Sequence, residues 1–260
     1  MKARIISAII MLILFIPILV VGDVYYTIVG SILGLMALWE ILRLHKRIPF
    51  GIKIFSYLVG LFLMVYRCSS TSYLESFNFP IIGSLFLMYS LLVIIRNDLS
   101  KYNYKDSMWV MVMTLMIGLF FNSFIKIRFL GLNEVIYCFI ISITTDTFAY
   151  FGGSLFGKHH FTKISPNKTI EGCISGSLFG TIIGSIFYYF VIGSTNLGIM
   201  ILLSFLLTIV SQVGDLFFSS IKREHQVKDF SQLIPGHGGI LDRLDSVLFV
   251  IMGFLLYSMI

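Results

Sequence analysis

The chain has 260 residues, 57% of them hydrophobic and only 12% charged, with a mean hydropathy of +0.94; soluble domains usually carry about 25% charged residues. That composition excludes a water-soluble globule and describes an all-α, polytopic integral membrane protein. The formal charge of +6 suits anionic lipid headgroups or nucleotides, at about 1 kcal/mol per basic residue near a membrane surface.

A span needs roughly 20 mostly apolar residues, and about nine stretches qualify: 5–22, 24–42, 52–66, 79–95, 108–125, 132–151, 170–192, 199–219 and 240–260. The third is short. The opening MKAR followed by IISAIIMLILFIPILVVG lacks a small-residue cleavage site, so it reads as a retained span and not as a secretory signal. Cytoplasmic loops accumulate Lys and Arg. Alternating the spans from a cytoplasmic N-terminus puts all of the 19 basic residues inside except Arg67, Lys126 and Arg128, so the C-terminus is expected outside. The expected setting is a cell membrane, crossed many times, of the bacterial cytoplasmic type. Loops such as RLHKRIPFGIK and RNDLSKYNYKDS read as solvated connectors. The whole chain, 1–260, reads as a single membrane domain, with 1–130 mainly scaffold helices and 131–260 the catalytic helices and cytoplasmic loops.

Cys68, Cys138 and Cys173 are odd in number and far apart, suggesting packing rather than a disulfide framework or a zinc site. Asn167-Lys168-Thr169 is formally a glycosylation sequon, discounted because the charge count puts it in the cytoplasm. Gly172, Gly176, Gly180 and Gly184 recur every fourth residue, making a smooth strip on which another helix can pack closely; span 7 is therefore expected inside the bundle. Ser165 before Pro166 reads as an N-cap and first-turn proline, which would put Lys168 and Thr169 in the first helical turn, where a phosphate is held by dipole and charge together. His159 and His160 are adjacent and read as loop residues.

Acidic residues inside the later spans are the most informative feature. Asp146 in ITTDTFAY, Asp215 in SQVGDLFFSS, and Asp242 with Asp245 in LDRLDS all fall near predicted cytoplasmic ends. An Asp or Arg near a helix centre costs about 2.5 to 3.5 kcal/mol on insertion scales, whereas each Leu, Ile, Phe or Val returns about 0.3 to 0.6. These charges must therefore face a wet, protein-lined cavity or the interface. Asp242 and Asp245 are three apart and share a face; Ser211, Asp215 and Ser219 are spaced by four. If spans 8 and 9 pack together their carboxylates converge, and converging carboxylates repel unless a cation lies between them. Magnesium suits such a place, taking one or two carboxylates and completing its shell with substrate phosphates. Arg243, Arg223, Lys222 and Lys228 could neutralise anionic oxygens, and the PGHGG turn at 235–239 offers backbone N–H groups just before the last helix. His237 sits between its glycines and serves either the site or the turn. No Ser-His-Asp hydrolase elbow, Walker lysine loop or HExxH helix is present.

The run from Ser219 to Asp245, SSIKREHQVKDFSQLIPGHGGILDRLD, resembles the signature of the phosphatidate cytidylyltransferases, also called CDP-diacylglycerol synthases: a Ser, Lys-Arg, four residues, Lys-Asp, a spacer, and Pro-x-His-Gly-Gly-x-x-Asp-Arg-x-Asp. The stretch from Asp146 to Gly172 is similar to that family's second block. The resemblance is specific over roughly the last 115 residues and architectural before them. It implies transfer of the cytidylyl group of CTP to phosphatidate, giving CDP-diacylglycerol and pyrophosphate. It further implies metal binding by Asp215, Asp242 and Asp245, with Asp146 a further candidate for the same cavity. The metal is Mg2+, with a second, monovalent cation such as K+ suggested beside it. Ser165, Asn167, Lys168 and Thr169 would hold the CTP phosphates. Lys222, Arg223 and Arg243 would hold the phosphatidate phosphate or the leaving pyrophosphate, and Lys228, Asp229, His237, Gly238 and Gly239 complete the substrate-binding set. CTP, phosphatidate and membrane lipids are the expected partners and no nucleic acid is; a homodimer is suggested by the resemblance alone. Two other readings stand beside this one: a CTP-dependent lipid kinase of the polyprenol or phytol type, and, from a different class, an ion-coupled transporter.

Overall fold

The computed structural model describes residues 2–68, 79–96, 102–193, 196–234, 236 and 238–258. Among these the protein is all-α: α1 (Lys2–Val21), α2 (Asp23–Leu44), α3 (Phe50–Val65), α4 (Phe79–Arg96), α5 (Tyr104–Leu130), α6 (Leu132–Phe156), α7 (Ile170–Phe187), α8 (Leu197–Glu224) and α9 (Leu241–Tyr257). Five segments are long and apolar enough to cross a bilayer: α2, α5, α6, α8, and Ile170–Ile192, where a π-helical turn (Tyr188–Ile192) prolongs α7. This is a membrane protein. α3 and α4 are apolar but shorter, at 16 and 18 residues. The chain divides into two compact units, the first comprising 1–129 with 230–240, the second 130–229 with 241–260.

In the first unit, glycines bring helices together. A side chain at Gly34 would strike Met64 and Phe121, one at Gly60 would strike Leu38, and one at Gly118 would strike Leu63, so α2, α3 and α5 approach at backbone distance. Tyr26, Leu38, Ile41, Met64, Phe121 and Phe124 fill the space between them and are fully buried; the Tyr26 and Phe124 rings stack at 5.3 Å. Helix ends leave carbonyls without intrahelical partners, a serious cost where water is scarce. Two side chains of α5 meet that need. Asn122 donates from Nδ2 to the carbonyls of Leu63, Met64 and Tyr66 at 3.0, 3.0 and 2.9 Å, closing α3. Arg128 donates to the carbonyls of Leu19 and Val20, at 2.7 and 3.0 Å, closing α1.

In the second unit α6 packs on α7 and α8 on α9. The glycine strip performs as its spacing predicts. Gly172, Gly176, Gly180 and Gly184 are the buried residues of α7, and side chains there would strike the carbonyls of Ala149 and Thr145, the Thr145 hydroxyl and Ile141 on α6. The helix is nevertheless not interior, correcting the expectation for span 7. Only 17% of its most apolar stretch is buried, and Ile174, Leu178, Phe179, Ile182 and Ile186 are exposed. Small residues on one stripe permit close packing on that side alone; the opposite face is apolar because lipid surrounds it. Tyr137 of α6 is buried, exchanging a hydrogen bond of 2.8 Å with Ser204 of α8 and meeting Phe254 of α9 edge-on.

Candidate active site

In the second unit the chain direction alternates from helix to helix, so the C-terminal parts of α6 and α8 and the N-termini of α7 and α9 share one end. Every acidic residue singled out from the sequence lies there. Asp146 on α6, Asp215 on α8 and Asp245 on α9 stand close enough for their charges to act on one another. Ser246, buried, serves Asp245 twice: its backbone N–H donates to Asp245 Oδ1 at 2.8 Å and its hydroxyl donates to the same oxygen at 3.4 Å.

Two lysines flank this group. Lys168 Nζ donates to Asp215 Oδ2 at 2.9 Å and to the Gln212 carbonyl at 3.3 Å. Lys222, one of the few lysines buried in the fold, donates to Asp242 Oδ1 at 2.8 Å, and the Asp242 side chain is only 5% exposed. Asp242 is thus held by Lys222, while Asp146 joins Asp215 and Asp245. Asp242 and Asp245 share a helix face, but Asp242 lies one turn nearer the helix start, where Lys222 in the last turn of α8 meets it.

Four carboxylates against two ammonium groups leave this set a formal excess of two negative charges. Among the described residues, no three His, Cys, Asp or Glu side chains form a ready-made metal cage. Magnesium does not ask for one, since it keeps several waters and takes one or two carboxylates with substrate phosphates. The donor chemistry is compatible with Mg2+, with Asp215, Asp245 and Asp146 as carboxylates whose charges act on one another. One turn from Asp215, the Ser211 hydroxyl is buried without a partner among the described residues.

The loop between α6 and α7 folds differently from its predicted form. Phe161 N–H donates to the Lys168 carbonyl at 2.8 Å and Ile170 N–H to that of His159 at 3.0 Å, pairing the two arms about a His160–Thr169 bridge. Ser165 to Lys168 is the turn of this hairpin, closed by Lys168 N–H to the Ser165 carbonyl at 3.0 Å, with Pro166 at the position where a fixed φ favours a turn. The N-cap of α7 is consequently Thr169, whose hydroxyl accepts from Gly172 N–H at 3.1 Å, and not Ser165. Lys168 lies before the helix, and Ser165 and Asn167 stay in the loop, Asn167 exposed. Glu171, which the sequence reading passed over, binds the other arm, accepting from the Lys158 and His159 N–H groups and pairing with His159 Nδ1 at 2.7 Å.

The remaining basic candidates lie outward. Arg223 and Arg243 are exposed, as are Lys228 and Asp229 beyond the end of α8; Arg223 reaches the Val227 carbonyl at 3.5 Å. The glycine turn belongs to the first unit. His237 is outside the described residues. Gly238 takes a φ of +89°, natural to glycine, and exchanges both backbone hydrogen bonds with Ile234. A side chain at Gly239 would strike the carboxylate of Glu40. That carboxylate, fully buried in α2, accepts from Ser231 Oγ at 2.5 Å and from Ile240 N–H at 2.9 Å. Within the turn the Gly238 N–H closes the loop on itself, and just beyond it the Ile240 N–H is held by Glu40.

A sequence model described as the Cytidylyltransferase family matches residues 2–260. A protein named phosphatidate cytidylyltransferase from Staphylococcus haemolyticus (strain JCSC1435) is 35% identical over 254 residues, covering 96% of each chain. Proteins of that name from Staphylococcus aureus (strain COL) and Staphylococcus epidermidis (strain ATCC 12228) are 35% and 33% identical, again over 96% of each chain.

Proposed function

The chain belongs to the cytidylyltransferase family, and we propose that it transfers the cytidylyl group of CTP to phosphatidate, with magnesium, at the cytoplasmic face of a bacterial cell membrane. The observation carrying this reading is the cluster of Asp146, Asp215 and Asp245 flanked by Lys168 and Lys222 at one end of the second unit.

A phosphatidate oxygen, already anionic near neutral pH, attacks the α-phosphorus of CTP; the bond from that phosphorus to its bridging oxygen breaks, and pyrophosphate leaves with the electron pair. No strong general base is required. The difficulty is to bring two anions together, which is a matter of positioning and electrostatics. Asp215 and Asp242 hold the ammonium groups of Lys168 and Lys222 in place before either anion arrives, so little reorganisation is left for the reaction itself. Ser246 fixes the Asp245 side chain. One or two of Asp215, Asp245 and Asp146 would hold the metal, which when bound supplies positive charge beside the phosphate oxygens. Arg223, Lys228 and Arg243, exposed nearby in sequence, are suited to draw phosphate groups inward.

The test is an assay of the purified protein with α-labelled CTP and phosphatidate, with and without magnesium. Label in the lipid, dependent on the metal, is expected. Label retained in CDP would favour terminal phosphoryl transfer and defeat the proposal.

A further inference from the structure

Outside the polar cluster, the second unit carries a groove of about 650 Å³ between α7 and α8. Its walls are apolar, with Ile174, Leu178 and Ile182 on one side and Phe205, Ile209 and Val213 on the other. Its upper end is continuous with the charged site. Gln212 lines the groove and gives its carbonyl to Lys168, while its amide donates to Ser177 Oγ at 2.8 Å and to the Cys173 carbonyl at 3.2 Å. Leu216, also on the wall, is the neighbour of Asp215. The hairpin that presents Lys168 to Asp215 also places Phe161 over the same end.

From Ile170 to Ile182 the groove follows α7 for about 18 Å at 1.5 Å per residue. One leaflet is half of a hydrocarbon core roughly 30 Å thick, or about 15 Å. A trough that starts beside a paired lysine and carboxylate and runs one leaflet deep matches a phospholipid whose headgroup lies in the polar site. We propose that this groove holds one acyl chain of the lipid substrate, an assignment that rests on the proposed reaction and adds to it the place of the tail. A tail leaving bilayer hydrocarbon gains almost nothing from the hydrophobic effect, because lipid is as apolar as the groove. The benefit is orientation: a seated tail fixes where the phosphate stands relative to Lys168 and Asp215.

The experiment fills the groove at mid-length with Thr181→Trp and, separately, Ile209→Trp, with Ile28→Trp on the exposed face of α2 as control. Each is assayed with dioleoyl phosphatidate and with water-soluble dihexanoyl phosphatidate, whose tails are too short to need the groove. Misplaced headgroups should lower kcat/KM for the dioleoyl lipid about tenfold or more, while dihexanoyl kcat/KM and the KM for CTP stay within about twofold of the unmodified protein. Equal losses on both lipids, or no loss on either, overturn the assignment. An unmodified protein that makes no CDP-diacylglycerol from either lipid would instead sink the proposed reaction. As a second measurement, a phosphatidate with a photoreactive tail is expected to label α7 and α8, and excess phosphatidate to suppress labelling where phosphatidylglycerol does not. Equal suppression by both lipids would mark the groove as a seat for bulk lipid; a cross-link joining α7 of two copies would mark it as a subunit contact. Either result refutes the proposal.

Discussion

Both units bury polar groups inside apolar helices, and they use them in opposite ways. In the first unit several such groups meet their complements: Asn122 and Arg128 donate to helix-end carbonyls, Glu40 accepts from a serine and a backbone N–H, and His45 Nε2 meets Asp106 Oδ1 at 2.7 Å with Trp109 stacked on the imidazole. In the second unit carboxylates act on carboxylates, with a buried lysine on one side and a partly buried lysine–carboxylate pair on the other. Complementary polar groups close a structure. Like charges gathered at close range make sense only if something else completes them, and that contrast separates a scaffold from a reaction site more sharply than burial or hydropathy does.

The contrast breaks most severely if the acidic trio proves dispensable. Asp215→Asn and Asp245→Asn are each expected to lower kcat by about 100-fold or more, the scale seen when one preorganised electrostatic partner is removed, while the protein inserts and is retained in detergent as before. At Asp245, neutralising a carboxylate among carboxylates relieves repulsion, so thermal stability should hold or rise even as turnover is lost, whereas Asp215→Asn also weakens the bond to Lys168 and should cost some stability. A fall of stability together with activity in Asp245→Asn would identify that residue as structural instead.

Lys222 and Asp242 sharpen the distinction within the site. Lys222→Met leaves the nearly buried Asp242 carboxylate without its lysine, and removing one partner of a buried pair costs about 3–5 kcal/mol. Asp242→Asn keeps a hydrogen-bonding oxygen for the ammonium and should cost less. If Asp242 serves chiefly to hold Lys222, the asparagine variant retains part of the activity and gains from Lys222→Arg less than it loses; if it binds magnesium, the residual activity depends more steeply on magnesium concentration than in the unmodified protein. A magnesium titration of Asp242→Asn decides between these roles.

How much of this was legible beforehand follows from the distance over which each partner acts. The helices, the glycine strip and the carboxylates on α6, α8 and α9 are local or periodic features, and spacing exposed them. Ser165-Pro166 misled because the same dipeptide opens a helix or a β-turn, and the choice is set by pairing of residues 159–161 with 168–170. Ser246 follows Asp245 directly, so reading by threes and fours steps over it. Glu40 lies in the string WEILRLHKR as an ordinary charge near a helix end; its partners are 191 and 200 residues away, and nothing nearby hints at them. For the same reason nothing in the sequence signals that the Gly238 N–H is engaged within the loop or that the Ile240 N–H just beyond the turn is held by Glu40.

Glu40 belongs to the next smaller scale of effect. Glu40→Ala strands the Ser231 hydroxyl and the Ile240 N–H in an apolar setting, at a cost of about 3 kcal/mol for bonds to a charged acceptor, or roughly a hundredfold more frequent opening of the loop. Hydrogen exchange across residues 231–240 reads this directly. Glu40→Gln retains one acceptor oxygen and should recover about half of the protection. Unchanged exchange in both variants would mean that the loop is held by other contacts.

The smallest expected effect is also the most diagnostic of what complementarity means in the first unit. Asn122→Ala removes the amide that satisfies three carbonyls at the end of α3, at a cost of about 1–2 kcal/mol if water reaches part of that helix end. Asn122→Asp is nearly the same size and shape, so packing barely changes, but an ionised carboxylate only accepts hydrogen bonds. It would set a negative charge against the oxygens of Leu63, Met64 and Tyr66, turning attraction into repulsion at unchanged volume. The aspartate variant should therefore melt below the alanine variant in detergent, although alanine deletes far more contact area. The reverse order would show that Asn122 acts by filling space, and the first unit would lose one of its clearest cases of a polar group buried to close the fold.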